Sequence, residues 1–200
     1  MTTNQETLIS LNDQNSSDWE IAEAVLNSSR AFQPFNIKNV ITDIEICEHI
    51  SNPYITGSFV MTDTERVVER FDIQGAETFT LRLQTAQYAD KPVEKTFFID
   101  TIQNIIRGNE TSQVTRLHFT EDIGYKSALH NVNKSYFGEP EKIVATIASD
   151  YFKKEVVSSA EKNVANAMKV IVPNLDPLEA MEWVKNRSTT AEGYPFYLFS

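Results

Sequence analysis

The side chains that could do chemistry in this chain are three histidines and several pairs of acidic residues. His49, His118 and His130 lie far apart, and none has a second histidine at the spacing of a metal-ligand pair. His118 stands between Leu117 and Phe119 in a run of alternating polarity, which predicts an exposed position on a strand. The histidines therefore predict no metal site.

Two carboxylates that face each other can hydrolyse a sugar linkage, so the acidic pairs are candidates for a glycosidase. The pairs are Glu45 with Glu48, next to His49, and Glu121 with Asp122. The chain carries 28 acidic residues, however, and such pairs then arise often by chance. A solvated acidic surface is the simpler interpretation of both pairs.

Other catalytic and cofactor motifs are missing from the sequence. Only six glycines are available, and they form neither a phosphate loop nor a Gly-x-Ser-x-Gly nucleophile motif. The single cysteine, Cys47, excludes an internal disulfide and a cysteine-rich metal cage, and its surroundings predict a small residue in a strand. We therefore expect a protein that is not an enzyme, with no catalytic, cofactor-binding or metal-binding residue.

Composition limits the classes of partner. With 41% apolar residues and 12 phenylalanines, the chain can bury a core. Its net charge of −10 disfavours specific binding to nucleic acid, which relies on lysine and arginine. No apolar run has the length needed to cross a bilayer, and the N-terminus lacks the basic and apolar regions of a secretory signal. These features predict a soluble protein made in the cytoplasm, without membrane insertion.

The elements that must position these residues begin with a polar arm over residues 1–34. Within it Asp18 is a candidate cap for a short helix that ends at Leu26, with Trp19, Ala22, Val25 and Leu26 on one side. Such an arm can be a flexible tail, which the composition slightly favours, or a clasp on a neighbouring subunit.

From Phe35 the pattern changes to strands. Alternating polarity predicts strands over residues 40–50, 56–62, 78–84, 96–106 and 114–120, with a helix or turn over 63–70. The last two strands form a hairpin around Gly108, and Gly57 marks a bulge or a close backbone contact. Phe79, Phe97 and Phe119 fall on the inward positions. Short turns between successive strands predict an antiparallel sheet or a small barrel.

After Thr120 helices return. The sequence predicts a helix over residues 139–154, a short strand over 170–173, and a helix capped by Asp176 with Pro177 at its first position. The second helix is expected to bury Leu178, Met181 and Val184. A final strand over residues 194–199 is apolar and lacks partners, which predicts that residues 136–200 are an incomplete α+β segment.

Taken in order, these segments resemble the N-terminal portion of the central baseplate hub protein of contractile-tailed phages. The resemblance covers residues 35–200 and rests on segment order and on a few short matches, chiefly the strand pair 41–50 and 56–63, the strand 77–85, the hairpin 95–120, Phe137-Gly138-Glu139-Pro140, the run 170–174, the helix 176–188 and the aromatic run 194–199. The resemblance implies an α+β fold, with an antiparallel β-barrel of tail-tube type over residues 35–135 and a mixed helical insertion domain over 136–200. The N-terminal arm has no counterpart in it.

The same resemblance implies the biological role. Hub proteins of that family carry two tube-type barrels per chain and form homotrimers, so that one side meets the hexameric tail tube protein and the other a trimeric spike protein. We would then expect a structural subunit of the virion baseplate, in contact with other baseplate subunits. DNA would pass its channel without specific binding, because an acidic wall does not retain phosphates.

Two alternatives remain from other classes of protein. One is a tail-associated hydrolase that cleaves the bacterial cell wall. The other is a carbohydrate- or receptor-binding β-domain, which would carry aromatic residues on exposed strand faces.

Overall fold

The protein is described by a computed structural model that covers residues 19–64, 66–85, 92–109, 112–157 and 167–198. Its strands are β1 (Trp19–Asn27), β2 (Phe35–Asn36), β3 (Ile41–Cys47), β4 (Thr56–Asp63), β5 (Thr78–Thr85), β6 (Val93–Asn109), β7 (Ser112–Glu121), β8 (Ser135–Gly138) and β9 (Met168–Ile171). Its helices are α1 (Val67–Arg70), α2 (Asp122–Ala128), α3 (Pro140–Phe152) and α4 (Pro177–Lys185). The predicted α+β class is confirmed.

The main sheet has seven strands in the order β2-β1-β5-β6-β7-β4-β3, and all neighbours are antiparallel. Its inner face carries Phe59, Phe79, Phe97 and Phe119, all buried, whose rings pack with centroids 4.7 to 6.3 Å apart. Successive residues of a strand point to opposite faces, so the polar residues between them form the outer face. The predicted inward positions and the β6–β7 hairpin are confirmed.

The two edges of this sheet, β2 and β3, follow each other in the chain. Between them the Ile37 N–H donates to the Ala24 carbonyl in β1 at 2.8 Å, and the Thr62 N–H in β4 donates to the Val40 carbonyl at 3.0 Å. Residues 37–40 therefore cross from one edge to the other, and the sheet is curled. It remains open within the described residues, because β2 is only two residues long and offers no ladder to β3.

The predicted helix between Asp18 and Leu26 is wrong. Residues 19–27 form β1, which pairs with β5 along nearly its whole length and buries Ala24 and Leu26 in the sheet core. The apolar positions of this segment fit a helical period, but pairing with β5 buries more of them and overrides the local preference. The sheet thus begins before residue 35, and the part of the predicted arm over residues 1–18 lies outside the described residues.

Beyond β7, the elements α2, β8, α3, β9 and α4 form a helical unit with a second core. Its buried apolar residues include Ile143, Ile147, Phe152, Val172, Leu178, Met181 and Val184. Both predicted helices and the predicted short strand are present. The Asp176 carboxylate accepts a hydrogen bond from the Glu179 N–H at 2.9 Å, so the predicted cap is confirmed.

The predicted strand over residues 194–199 is wrong for the residues described. Tyr194 to Leu198 form no strand, and their one ladder contact is an isolated bridge between Thr189 and Pro195. Pro195 has no N–H to donate, and Gly193 before it adopts a φ of 87°, so the backbone turns here instead of extending. Phe199 lies outside the described residues.

Candidate assembly surfaces

The acidic pairs and histidines singled out by the sequence lie on separate elements. Glu45 is exposed on β3, and the His49 ring accepts a hydrogen bond from the Ser51 N–H at 3.1 Å in the following turn. His118 lies half-buried on the outer face of β7, and His130 is exposed after α2 with its ring 5.9 Å from Tyr151. Cys47 is the last residue of β3, as predicted, and is exposed.

Over the residues that the structure describes, no three His, Cys, Asp or Glu side chains are placed so that they could hold a metal ion. In that part of the chain, too, the helices are all too short or too polar to cross a bilayer.

Glu121, one of the glycosidase candidates, is buried at the junction between the sheet and the helical unit. One carboxylate oxygen accepts from the Ile55 N–H at 3.1 Å, and the other lies 3.3 Å from the Lys95 ammonium. The Glu121 N–H donates to the Ile55 carbonyl at 2.9 Å. Its carboxylate is therefore engaged in holding the loop before β4 against the end of β7.

Asp122, the next residue, joins α2 to the end of α3. Its carboxylate lies 2.9 Å from Lys126 and 3.1 Å from Lys154. Burial acts to raise the pKa of Asp122, but the hydrogen bonds from the two lysines outweigh it and hold the pKa below the ordinary value of 3.8. Asp122 is thus a stabilising anion, which is the opposite of the raised pKa expected for a general acid.

Two close contacts fix the helical unit on the sheet. The ring of Tyr125 in α2 stacks on Phe98 of the outer face, with centroids 4.6 Å apart and planes 8° from parallel. Tyr54 packs directly on Gly124, where an added Cβ would lie 2.7 Å from the tyrosine ring. The sheet and the helical unit therefore meet in a packed contact.

A groove of about 880 Å³ lies beside this junction. Its apolar walls come from α3, α4 and the C-terminal residues, including Val144, Phe152, Met181 and Leu198. Lys95, Lys154 and Lys185 border it, and each is paired with an acid, namely Glu121, Asp122 and Glu182. Glu141 and Glu155 also line the groove, so its lysines are paired and its remaining lining is chiefly apolar or acidic. Its apolar walls suit an apolar side chain.

A second apolar surface is the outer side of the β8–β9 ladder. Phe137 and Ile171 are 79% and 68% exposed there, whereas Tyr136 and Val170 point into the second core. The Tyr136 hydroxyl has no hydrogen-bond partner among the described residues, and burial raises the pKa of this phenol. These two side chains form a small apolar surface on the side of the ladder away from the second core.

The loop after β1 presents a fully exposed phenylalanine, Phe32. Arg30 fixes this loop, because it forms an ion pair with Glu77, whose side chain is 1% exposed, and donates from Nε to the Asp72 carbonyl at 2.9 Å. Glu77 also accepts from the N–H groups of Gln74 and Gly75. The sequence prediction missed this site because Arg30 lay in the supposed arm, and no local signal pairs it with a residue so distant in the chain.

The structure thus defines an α+β protein with a curled antiparallel sheet joined to a small helical unit. No known protein family and no curated protein matches the sequence. The fold is similar to that of the 43 kDa tail protein of prophage MuSo2 from Shewanella oneidensis, with 12% identity, a TM-score of 0.56 and coverage of 88% of this chain and 53% of that one. It is also similar to the tail protein from Neisseria meningitidis MC58, with 12% identity, a TM-score of 0.53 and coverage of 87% and 50%.

This chain therefore spans about half the length of each of these tail proteins. At 12% identity, the similarity concerns the fold and not the individual residues.

Proposed function

We propose that this chain is a structural subunit of a phage tail. The observation that carries the proposal is the shared fold, since the curled sheet and the helical unit together align with two phage tail proteins over 88% and 87% of the chain. The engaged carboxylates of Glu121 and Asp122 agree with a structural role, because they serve contacts within the chain.

The finer proposal places the subunit in the baseplate hub. There the curled sheet would be a tail-tube type of barrel, three chains would form a trimer, and the ring would connect the tail tube to the spike. The exposed apolar side chains of Phe32, Phe137 and Ile171 support an assembly role, because contacts between subunits would remove them from water.

The acidic balance of the chain supports a further part of the proposal, a channel for DNA. Glu23, Asp43 and Glu45 are exposed on the outer face of the sheet. Arg82 and Arg116 lie on the same face, so DNA would slide past where the acids outnumber these arginines and repel the phosphates.

The experiment that tests the hub role measures the mass of the assembled protein in solution and its location in purified tails. Sedimentation of the purified full chain should give three times 22.7 kDa, and antibodies against it should label the baseplate end of purified tails. A monomer at high concentration, or label along the tail tube, would contradict the hub role while leaving a tail role possible. Virions without any label would contradict both.

A second experiment on the same purified protein distinguishes the structural role from that of a cell-wall hydrolase. On a zymogram of purified cell walls we expect no clearing. Clearing that Glu121→Gln abolishes, in a variant that stays folded, would favour the hydrolase.

A further inference from the structure

Strand β3 is an open edge of the main sheet. It spans seven residues, and within the described residues it pairs with β4 alone and is the last strand in the sheet order. In an antiparallel strand alternate N–H and C=O groups point away from the paired neighbour. Such groups form a template for one more strand.

The two faces of β3 differ in chemistry. Asp43 and Glu45 lie on the outer face, opposite Val60 and Ser58 of β4, and both are exposed. Ile44 and Ile46 lie on the inner face, and Ile46 remains 40% exposed because no strand flanks it. An added strand would therefore meet acids on one face and isoleucines on the other.

The charge of this edge is of one sign. Residues 41–50 include Asp43, Glu45 and Glu48 and contain no lysine or arginine. Charges on an edge strand can simply prevent aggregation, although lysine is the usual residue for that purpose. Beside these acids Ile46 leaves 40% of its surface exposed, and an added strand would cover that surface.

A second copy of this chain is the wrong occupant for this edge. Two β3 strands side by side would oppose acids to acids, and like charges directly opposite each other destabilise a strand pair.

We propose that β3 binds a strand of another protein in which lysine or arginine alternates with apolar residues. The basic side chains would lie beside Asp43 and Glu45, the apolar ones beside Ile44 and Ile46, and the backbones would pair as in the rest of the sheet. This inference names a docking surface that the proposed tail role leaves open, and it holds whether or not that role is correct.

The test uses the full chain and two synthetic nine-residue peptides, one alternating valine with lysine and one alternating valine with glutamate. Amide hydrogen exchange is followed by NMR at low salt. The lysine peptide should slow exchange at alternate residues of β3 by at least about fivefold, and the glutamate peptide should have no effect. Raising the salt to about 0.5 M should weaken the protection, because the contacts are exposed ion pairs.

Two double variants with the same change in net charge test whether the protection by the peptide depends on the acids of β3. Asp43→Lys with Glu45→Lys should reverse the preference, so that the glutamate peptide now protects β3 and the affinity for the lysine peptide falls at least about tenfold. Asp100→Lys with Glu192→Lys changes exposed acids away from β3 and should behave like the unaltered chain. If the reversed variant fails to fold, Asp43→Asn with Glu45→Gln should still lose most of the protection.

Several outcomes would overturn the proposal. These are an absence of protection in the unaltered chain, protection at β1 instead of β3, or an equal loss in both double variants. Sedimentation of the same samples tests the rival occupant, because a second copy at β3 would make self-association depend on Asp43 and Glu45. A trimer that survives the Asp43→Lys and Glu45→Lys changes would leave the hub role intact whatever the peptides do.

Discussion

The main sheet and the helical unit are held together by different kinds of contact. In the sheet, four large aromatic rings from β4, β5, β6 and β7 meet in one cluster. In the helical unit, aliphatic stripes of α3 and α4 pack together, and polar groups fix the ends of the elements. The Ser127 hydroxyl, for example, donates to the Asp176 carboxylate at 2.6 Å, which ties α2 to the start of α4. The sheet also contains a buried carboxylate, Glu77, which is paired with Arg30 in the loop after β1. Stability of the sheet strands should therefore depend chiefly on aromatic packing, and that of the helical unit on aliphatic packing together with ion pairs at the ends of its helices.

The largest loss of stability is expected from a substitution that disrupts the aromatic cluster. Phe79 is fully buried and its ring contacts those of Phe59, Phe97 and Phe119. Phe79→Ala should lower the free energy of unfolding by about 3–5 kcal/mol, because it leaves a cavity shared by four strands. Urea unfolding followed by circular dichroism measures it. The control is Phe32→Ala, at a fully exposed position, which should change the value by less than about 0.5 kcal/mol.

A pair of glycine substitutions compares the two regions at positions where an added Cβ would meet a neighbouring atom at less than 3 Å. At residue 57 an added Cβ would lie 2.3 Å from the Glu45 carbonyl oxygen, whereas at residue 124 it would lie 2.7 Å from the side chain of Tyr54. Gly57→Ala should cost about 2–3 kcal/mol, because a paired backbone must move. Gly124→Ala should cost less than about 1 kcal/mol, since the tyrosine ring can shift and alanine favours the helix. Equal losses in thermal unfolding would refute the distinction.

The smallest effect is the pH dependence of an ion-pair cluster in the helical unit. Because the folded pKa of Asp122 lies below 3.8, its ion pairs stabilise the protein fully above that value and are lost as the pH falls through the lower, folded pKa. Asp122→Asn should therefore unfold more easily than the unaltered chain at pH 6, by about 1 kcal/mol or less, and the difference should shrink at pH 2.5. Asp43→Asn, at an exposed acid on β3, is the control. A difference for Asp122→Asn that stays constant with pH would contradict the assignment.

The elements that could be predicted from sequence are those whose signals are local. The strands 56–62 and 78–84 show alternation, and α4 has a capping aspartate followed by proline, so each segment carries its own evidence. The close backbone contact predicted at Gly57 is present, although its partners, Glu45 and Phe119, lie on other strands.

Strand β1 shows why the rest could not be predicted. Its apolar residues Trp19, Ala22 and Val25 fit a helix spacing, and its state is decided by pairing with β5, which lies far along the chain. The candidate surfaces could not be predicted for the same reason, because they depend on contacts between distant segments. Two ion pairs, Arg30 with Glu77 and Lys95 with Glu121, join positions that are far apart in the chain. The sequence around each residue contains no pattern that predicts its partner.

The junction has a mechanical consequence. β7 ends at Glu121 and α2 begins at Asp122, so no linker separates the sheet from the helical unit. β7 is also flanked by β6 on one side and β4 on the other. A pull on the helical unit would pass straight along β7 and strain both ladders in shear, with many hydrogen bonds resisting together instead of opening one by one. The chain is therefore built to transmit tension between its two parts with little stretch.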